Sequence, residues 1–377
     1  MSSSLFCIVH FNNQKLGDAY SVCCEVLSQR SEQIPQSLHH PSQAIELIEA
    51  TSKIVESISY GDLIAMQEMD NELSITMKFY NLITQVAFFS RPEILPYLIH
   101  RMIQLTMKYG FCKYSAMGFM NYGMVVCSSN KLAKESILIA ARLGKAALTC
   151  SKKRCHSPEQ LPSLYCVYYG FVAFHTEPLQ ACADMLRQGF EAALSRGGIA
   201  TVAANSIQHV KCLIMAGESL PALLEKVNYY LELSTTYQTQ TGIVYHTIFR
   251  ETIMALIDKG GSTHPKPHPD AEETNANIVE TMHFHRAIQA YWQGHSERCQ
   301  YFTDKFFKMS SHRGKLNGIE MTFINALNSF QLLKRQKSAK LRSAGKHAIA
   351  ELKAAALNST WNFSNKVRPV LVKLGSP

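Results

Sequence analysis

"IQLTMKYGFCKYSAMGFMNYGMVV", residues 103–126, packs glycine, methionine and small side chains more densely than an ordinary solvent-exposed helix does. Three readings compete: a membrane span, a nucleotide cradle, or the seam between two closely packed helices. Lys108, Lys113 and Asn121 interrupt the stretch, and each charge at a bilayer centre costs about 2.5–3.5 kcal/mol. Nowhere in the chain do the roughly 18 consecutive apolar residues of a spanning helix run together, so no membrane is expected as a partner. Glycines at 110, 118 and 123 lack the G-x-G spacing of a dinucleotide loop. The seam remains. Gly110 stops an amphipathic helix, Gly110-Phe111-Cys112 turns the chain, and a second helix offers Ser115, Ala116, Gly118 and Gly123 to a neighbour. Each glycine weakens its own helix by about 0.8–1.0 kcal/mol relative to alanine, which a close crossing must offset.

Working outward, apolar residues recur at i, i+3, i+4 and i+7 between Leu95 and Phe249, with short polar or Gly/Pro interruptions. Helices are expected over residues 94–109, 113–126, 132–149, 161–174, 178–194, 199–215 and 220–237. Turns inside pairs fall near 129, 176 and 217 and turns between pairs near 110, 153 and 197, a spacing of about 41–47 residues that matches a two-helix repeat. A lone hairpin leaves a greasy face that only the next hairpin covers. The expected fold is therefore all-α, an α-α superhelix of tetratricopeptide-like hairpins. A cap over residues 1–60 is expected to hold helices at 18–28 and 41–57. The array spans 61–258, beginning with one or two helices at 62–89. The Pro/Gly-rich stretch 259–277 reads as a linker loop. Residues 278–377 form further repeats, with helices at 278–292, 297–309, 316–333 and 338–357, and then a short tail after Trp361-Asn362-Phe363.

With 377 residues, 46% hydrophobic and 18% charged, the chain is no disordered polymer. Its 11 cysteines are scattered and read as reduced, buried small apolar residues. Met1 to His10 lacks the basic start and apolar run of a signal peptide, so a cytoplasmic location is expected. The net charge of +9 resides in one segment: from Lys334 to Pro377 ten Lys and Arg face the single acid Glu351. Lys334, Arg335, Lys337, Lys340, Arg342 and Lys346 are the candidate contacts to an anionic partner, nucleic acid being the second class of partner expected. The run lacks interleaved aromatics or a nucleic-acid motif, and a solvated helix face is the simpler reading.

Signs of catalysis are weak. Ser343-Ala344-Gly345-Lys346-His347 has neither the upstream glycine nor the following hydroxyl of a phosphate loop, and no G-x-S-x-G exists. His283 and His285 point about 200° apart on a helix, leaving Glu280/His283, with His246, as the only metal-like grouping there. Cys150, Cys155 and His156 form another set without a second pair. Glu272-Glu273 falls in the linker. No metal, cofactor or catalytic residue is assigned. Aromatics at 165–174 and 284–292 read first as core. Tyr165, Tyr169, His209 and Tyr245 are the candidate partner contacts on a concave helix face.

Several segments also resemble a known family. "YSVCCEVLSQRSEQIP" (20–35), "RMIQLTMKYG" (101–110), Ser115-Ala116 with Tyr122-Gly123, "GFEAALSRGG" (189–198) and Gly217-Glu218-Ser219-Leu220 are similar to the tetratricopeptide-like superhelical region of multi-module AAA/STAND signalling ATPases. Residues 302–306 and 320–327 resemble later helices, and Asn362-Phe363 with Lys366 its "NF-x-x-K" finish. Gly198 stands where that family has an acid, and His175 where it has Trp. In the family an ATPase precedes this region, and a GAF and histidine-kinase half often follows. The resemblance implies a non-enzymatic, regulatory scaffold for protein–protein interaction in signal transduction, present here as a fragment or stand-alone derivative, with neighbouring ATPase or kinase modules as partners. A small-molecule sensor in the groove is a further alternative.

Overall fold

The computed structural model of the chain describes residues 15–38, 40–128, 134–154, 158–258, 275–309, 315–335 and 337–375. Among the described residues it is 83% helical, with 17 α-helices and no strand, so the all-α expectation stands. The chain divides into two compact units, residues 1–127 with 132–168 and residues 128–131 with 169–377.

The first unit contains α1 (Leu16–Gln29), α2 (Pro41–Val55), α3 (Tyr60–Ala65), α4 (Asn71–Ser90), α5 (Leu95–Tyr109), α6 (Ser115–Ser128) and α7 (Lys134–Arg154). The division falls within α8 (Leu161–Phe171). The opening stretch behaves as a seam. Gly110 ends α5 at φ 104°, which favours glycine, and an added Cβ would meet the Gln67 carbonyl. Phe111 N–H donates to that same Gln67 carbonyl at 2.9 Å, and Met69 N–H donates to Phe111 O at 3.2 Å. Of the one or two helices expected over 62–89 there are two, separated at this pairing: α3 stops at Ala65, and Asp70 caps α4 by accepting the Leu73 N–H at 2.9 Å. On α6, an added Cβ at Gly118 would lie 3.2 Å from Met102 Cβ, so the small residue sets how closely α5 and α6 approach. Arg154 donates to the carbonyls of Leu63 and Met66 at 2.7 and 2.5 Å, which anchors the end of α7 on α3.

The second unit runs through α9 (Leu179–Leu194), α10 (Ile199–Ala216), α11 (Leu220–Thr236), α12 (Gln240–Ile257), α13 (Ala276–Trp292), α14 (Ser296–Lys308), α15 (Leu316–Leu333), α16 (Ala339–Asn358) and α17 (Thr360–Gly375). Each helix packs on its successor, and α10 also meets α12, α13 meets α15, and α15 meets α17. Burial sorts them into two kinds. In α11 only Leu223, Val227, Tyr230 and Ser234 are buried, a single stripe at helical spacing, and α14 and α16 are striped likewise. By contrast α10, α13 and α15 are buried nearly all round. These helices form an inner layer behind the striped ones. α10 is also the one described helix long and apolar enough to cross a bilayer, but over half of that window is buried against its neighbours and it carries buried Asn205, Ser206 and His209.

Residues 259–274 of the expected linker lie outside the described residues; α13 begins at Ala276 and packs on α12. One expectation changes here. The expected short tail is a helix, α17, despite Pro369 within it. α17 returns to the start of its unit: Asn362 Nδ2 donates to the carbonyls of Phe174 and Glu177 at 2.8 and 2.9 Å, and its Oδ1 accepts the Leu179 N–H at 3.0 Å. Phe363 is fully buried beside it. Lys366 pairs with Glu320 on α15 and sits over the Phe323 ring at 5.2 Å. α10 likewise touches α15. The last described helix of this unit thus packs on the segment that precedes its first.

Candidate functional site

Some of the segments that carry the family resemblance meet in space. Glu32, from the first segment, accepts two hydrogen bonds from Arg101, from the second, at 2.8 and 2.7 Å. Tyr80 OH donates to the same carboxylate at 2.8 Å. Burial alone would raise the Glu32 pKa, but the Arg101 and Tyr80 bonds outweigh it and leave the carboxyl below its ordinary value. Tyr122 and Ser52 share a hydroxyl hydrogen bond at 2.8 Å, and Ser115 accepts from Thr106 at 3.0 Å. Asn362, Phe363 and Lys366 form the closure already described. These motif residues hold helices to helices.

The four candidate partner contacts sit inside the packing. Tyr165 and Tyr169 on α8 are buried, with the Lys152 ammonium over the Tyr165 ring at 4.8 Å. His209 on α10 is buried and shares a hydrogen bond with Tyr230 OH at 2.8 Å. Tyr245 on α12 is buried under Lys211, whose ammonium lies 5.2 Å from the ring centroid. His209 and Tyr245 face the packing because α10 and α12 have helices on both sides. An aromatic stripe at helical spacing marks burial without telling a groove from an interior.

A buried polar cluster surrounds His209. His246 lies between two hydroxyls, Ser206 at 3.2 Å from Nε2 and Ser234 at 3.2 Å from Nδ1. The distance suits a serine and its base, but the group is buried and among the described residues no carboxylate is hydrogen-bonded to its ring, so it reads as a core network. Burial pushes the pKa of His209 and His246 down to about 4, with Lys226 and Arg187 adding to the effect at His209. His285, buried against Phe249 and Phe284, is pushed down to about 3. Glu280, considered with His283 for a metal, is paired instead with Lys315 at 3.4 Å. Among the described residues no three His, Cys, Asp or Glu side chains converge; Cys155 and His156 lie outside them.

A groove of about 430 Å³ runs along α5, lined by Ile54, Arg101, Gln104, Met107 and Tyr109 among others. It is shallow and open, and Arg101 is already committed to Glu32. On α16 and the turn before it, Lys334, Arg335, Lys337, Lys340, Arg342 and Lys346 are all exposed. Sequence reasoning missed that the next helix shows Trp361, Arg368 and Val372 to solvent, because it expected no helix there.

Comparison with protein-family models, curated proteins and solved structures finds no match to this chain.

Proposed function

We propose that the chain is a non-catalytic scaffold of stacked helical hairpins, tetratricopeptide-like in its pairing but curled tightly enough for α17 to meet α9, and that it binds a protein partner. Its place is the regulatory part of an ATPase-coupled signal-transduction protein in the cytoplasm. The observation that carries the reading is the exposure of large aromatics around the striped helices: Trp292 and Tyr301 are 64% and 56% exposed on adjoining α13 and α14. Trp and Tyr are the residues most enriched at binding hot spots. Tyr229 on α11 and Tyr237 just after it are exposed in the same way. The link to an ATPase rests on the segment resemblance, two of whose segments pair directly through Glu32 and Arg101.

The test is differential affinity capture with the full chain and a W292A/Y301A variant. A protein carrying an ATPase or histidine-kinase module should be retained by the wild type and lost by the variant. Equal capture by both would overturn the reading.

A further inference from the structure

The positive charge of the C-terminal segment and its exposed apolar side chains occupy the same two helices. On α16, Arg342, Lys346 and Lys353 share one helical face with Leu357, which is 68% exposed. The row covers about 22 Å of helix. Across the corner at Ser359, Trp361 in the first turn of α17 is 55% exposed; Arg368 and Val372 continue its stripe at helical spacing. Arg342, Lys346, Lys353 and Arg368 are exposed, and no carboxylate lies within ion-pair distance of them among the described residues. Lys366, by contrast, points inward to Glu320 and is not part of this surface.

We infer that the exposed faces of α16 and α17 dock on an anionic lipid bilayer, with cations at the headgroups and Leu357 and Trp361 seated at the interface. Charge complementarity selects an anionic occupant, and each Lys or Arg near such a membrane adds attraction. The apolar residues separate the bilayer from nucleic acid. Trp is favoured at the boundary between headgroup and acyl chain, and Leu357 gains only by leaving water, whereas single-stranded nucleic acid is held by rows of aromatics interleaved with cations. Here one exposed aromatic stands beside aliphatic side chains. The attachment is peripheral and needs no spanning helix. It is independent of the proposed protein partner, whose aromatics lie on α13 and α14.

The chain has two tryptophans, so W292F leaves Trp361 as the sole reporter. The full-length W292F protein is mixed with vesicles of phosphatidylcholine alone, or with about one-third phosphatidylserine, and followed by co-sedimentation and emission wavelength. Binding with a blue shift is expected only with phosphatidylserine, and it should weaken as salt rises. R342E/K346E/K353E should reduce binding by about a hundredfold or more. L357S/W361S should weaken it about tenfold or more with every cation retained. Equal sedimentation with both vesicles, or with neither, overturns the proposal. So does saturable binding of an RNA or duplex DNA oligomer that charge reversal abolishes and L357S/W361S leaves unchanged. Helical circular dichroism checks each variant's fold, and the wild-type comparison stands without them.

Discussion

Asn362 Oδ1 accepts the backbone N–H of Leu179 at 3.0 Å, so a side chain from the last helix caps the first turn of a helix 183 residues earlier. The local cap position is Pro178, which has no side chain able to accept that bond, and a helix start leaves its first N–H groups without intrahelical partners. Asn362 supplies the missing acceptor and satisfies two nearby carbonyls with its amide. N362A should therefore destabilise the second unit by about 2–4 kcal/mol, since buried polar groups lose partners. Urea denaturation should show a lower midpoint with an unchanged slope. A loss below about 1 kcal/mol would mean that water replaces the side chain at little cost.

The buried histidines make stability depend on pH. His209, His246 and His285 are held neutral in the fold, with pKa values of about 4, 4 and 3 against the ordinary 6.5. The unfolded chain takes up protons first as pH falls. Their contribution is thus fully present above about pH 6.5 and is lost on descent toward about pH 4, at up to about 1.4 kcal/mol per pH unit for each ring. H285L should flatten that dependence by about one third while costing little at neutral pH, because His285 Nδ1 has no hydrogen-bond partner among the described residues. Denaturation midpoints at several pH values would measure it. An unchanged slope in H285L would show that the ring titrates normally.

At the seam, G110A should destabilise the first unit by about 2–4 kcal/mol. The methyl group would strike the Gln67 carbonyl, and the backbone conformation is one that only glycine adopts cheaply. Thermal unfolding of the variant tests this; a shift of less than a degree would mean that the Gln67–Phe111 pairing is dispensable.

E32Q removes the charge that Arg101 and Tyr80 converge on. The half-buried guanidinium keeps a hydrogen-bonding partner but no counter-charge, so a loss of about 1–3 kcal/mol is expected. The pair is partly exposed, and salt should weaken it in the wild type, narrowing the gap between the two proteins. Chemical denaturation at low and high salt distinguishes this from a purely steric effect.

The helical period of the sequence discloses the all-α class, and Gly110 discloses the turn at the seam, because both signals are local. Other features arise from partners distant in the chain. The break between α3 and α4 is held by Phe111 pairing with Gln67, and nothing in the apolar pattern of residues 62–89 announces it apart from Asp70 as a cap. α17 is masked by Pro369 and by β-branched Val367, Val370 and Val372, all weak helix signals, and is sustained by Phe363, Lys366 and Val370 packing inward. The burial of His209 and Tyr245 was illegible for the same reason: whether a stripe lines a groove or an interior depends on which later helix covers it. Burial of the scattered cysteines was legible, and the nine free cysteines described include only one, Cys24, that is not buried.

The Asn362 clasp also imposes an order of assembly. During synthesis the first turn of α9 leaves the ribosome long before residue 362 exists; at about 5–20 residues per second the delay is roughly 10–40 s. For that interval the nascent second unit carries an uncapped helix and an inner layer lacking its final cover. It behaves as a growing row of hairpins until α17 arrives, and only then becomes a body whose ends cannot fray separately.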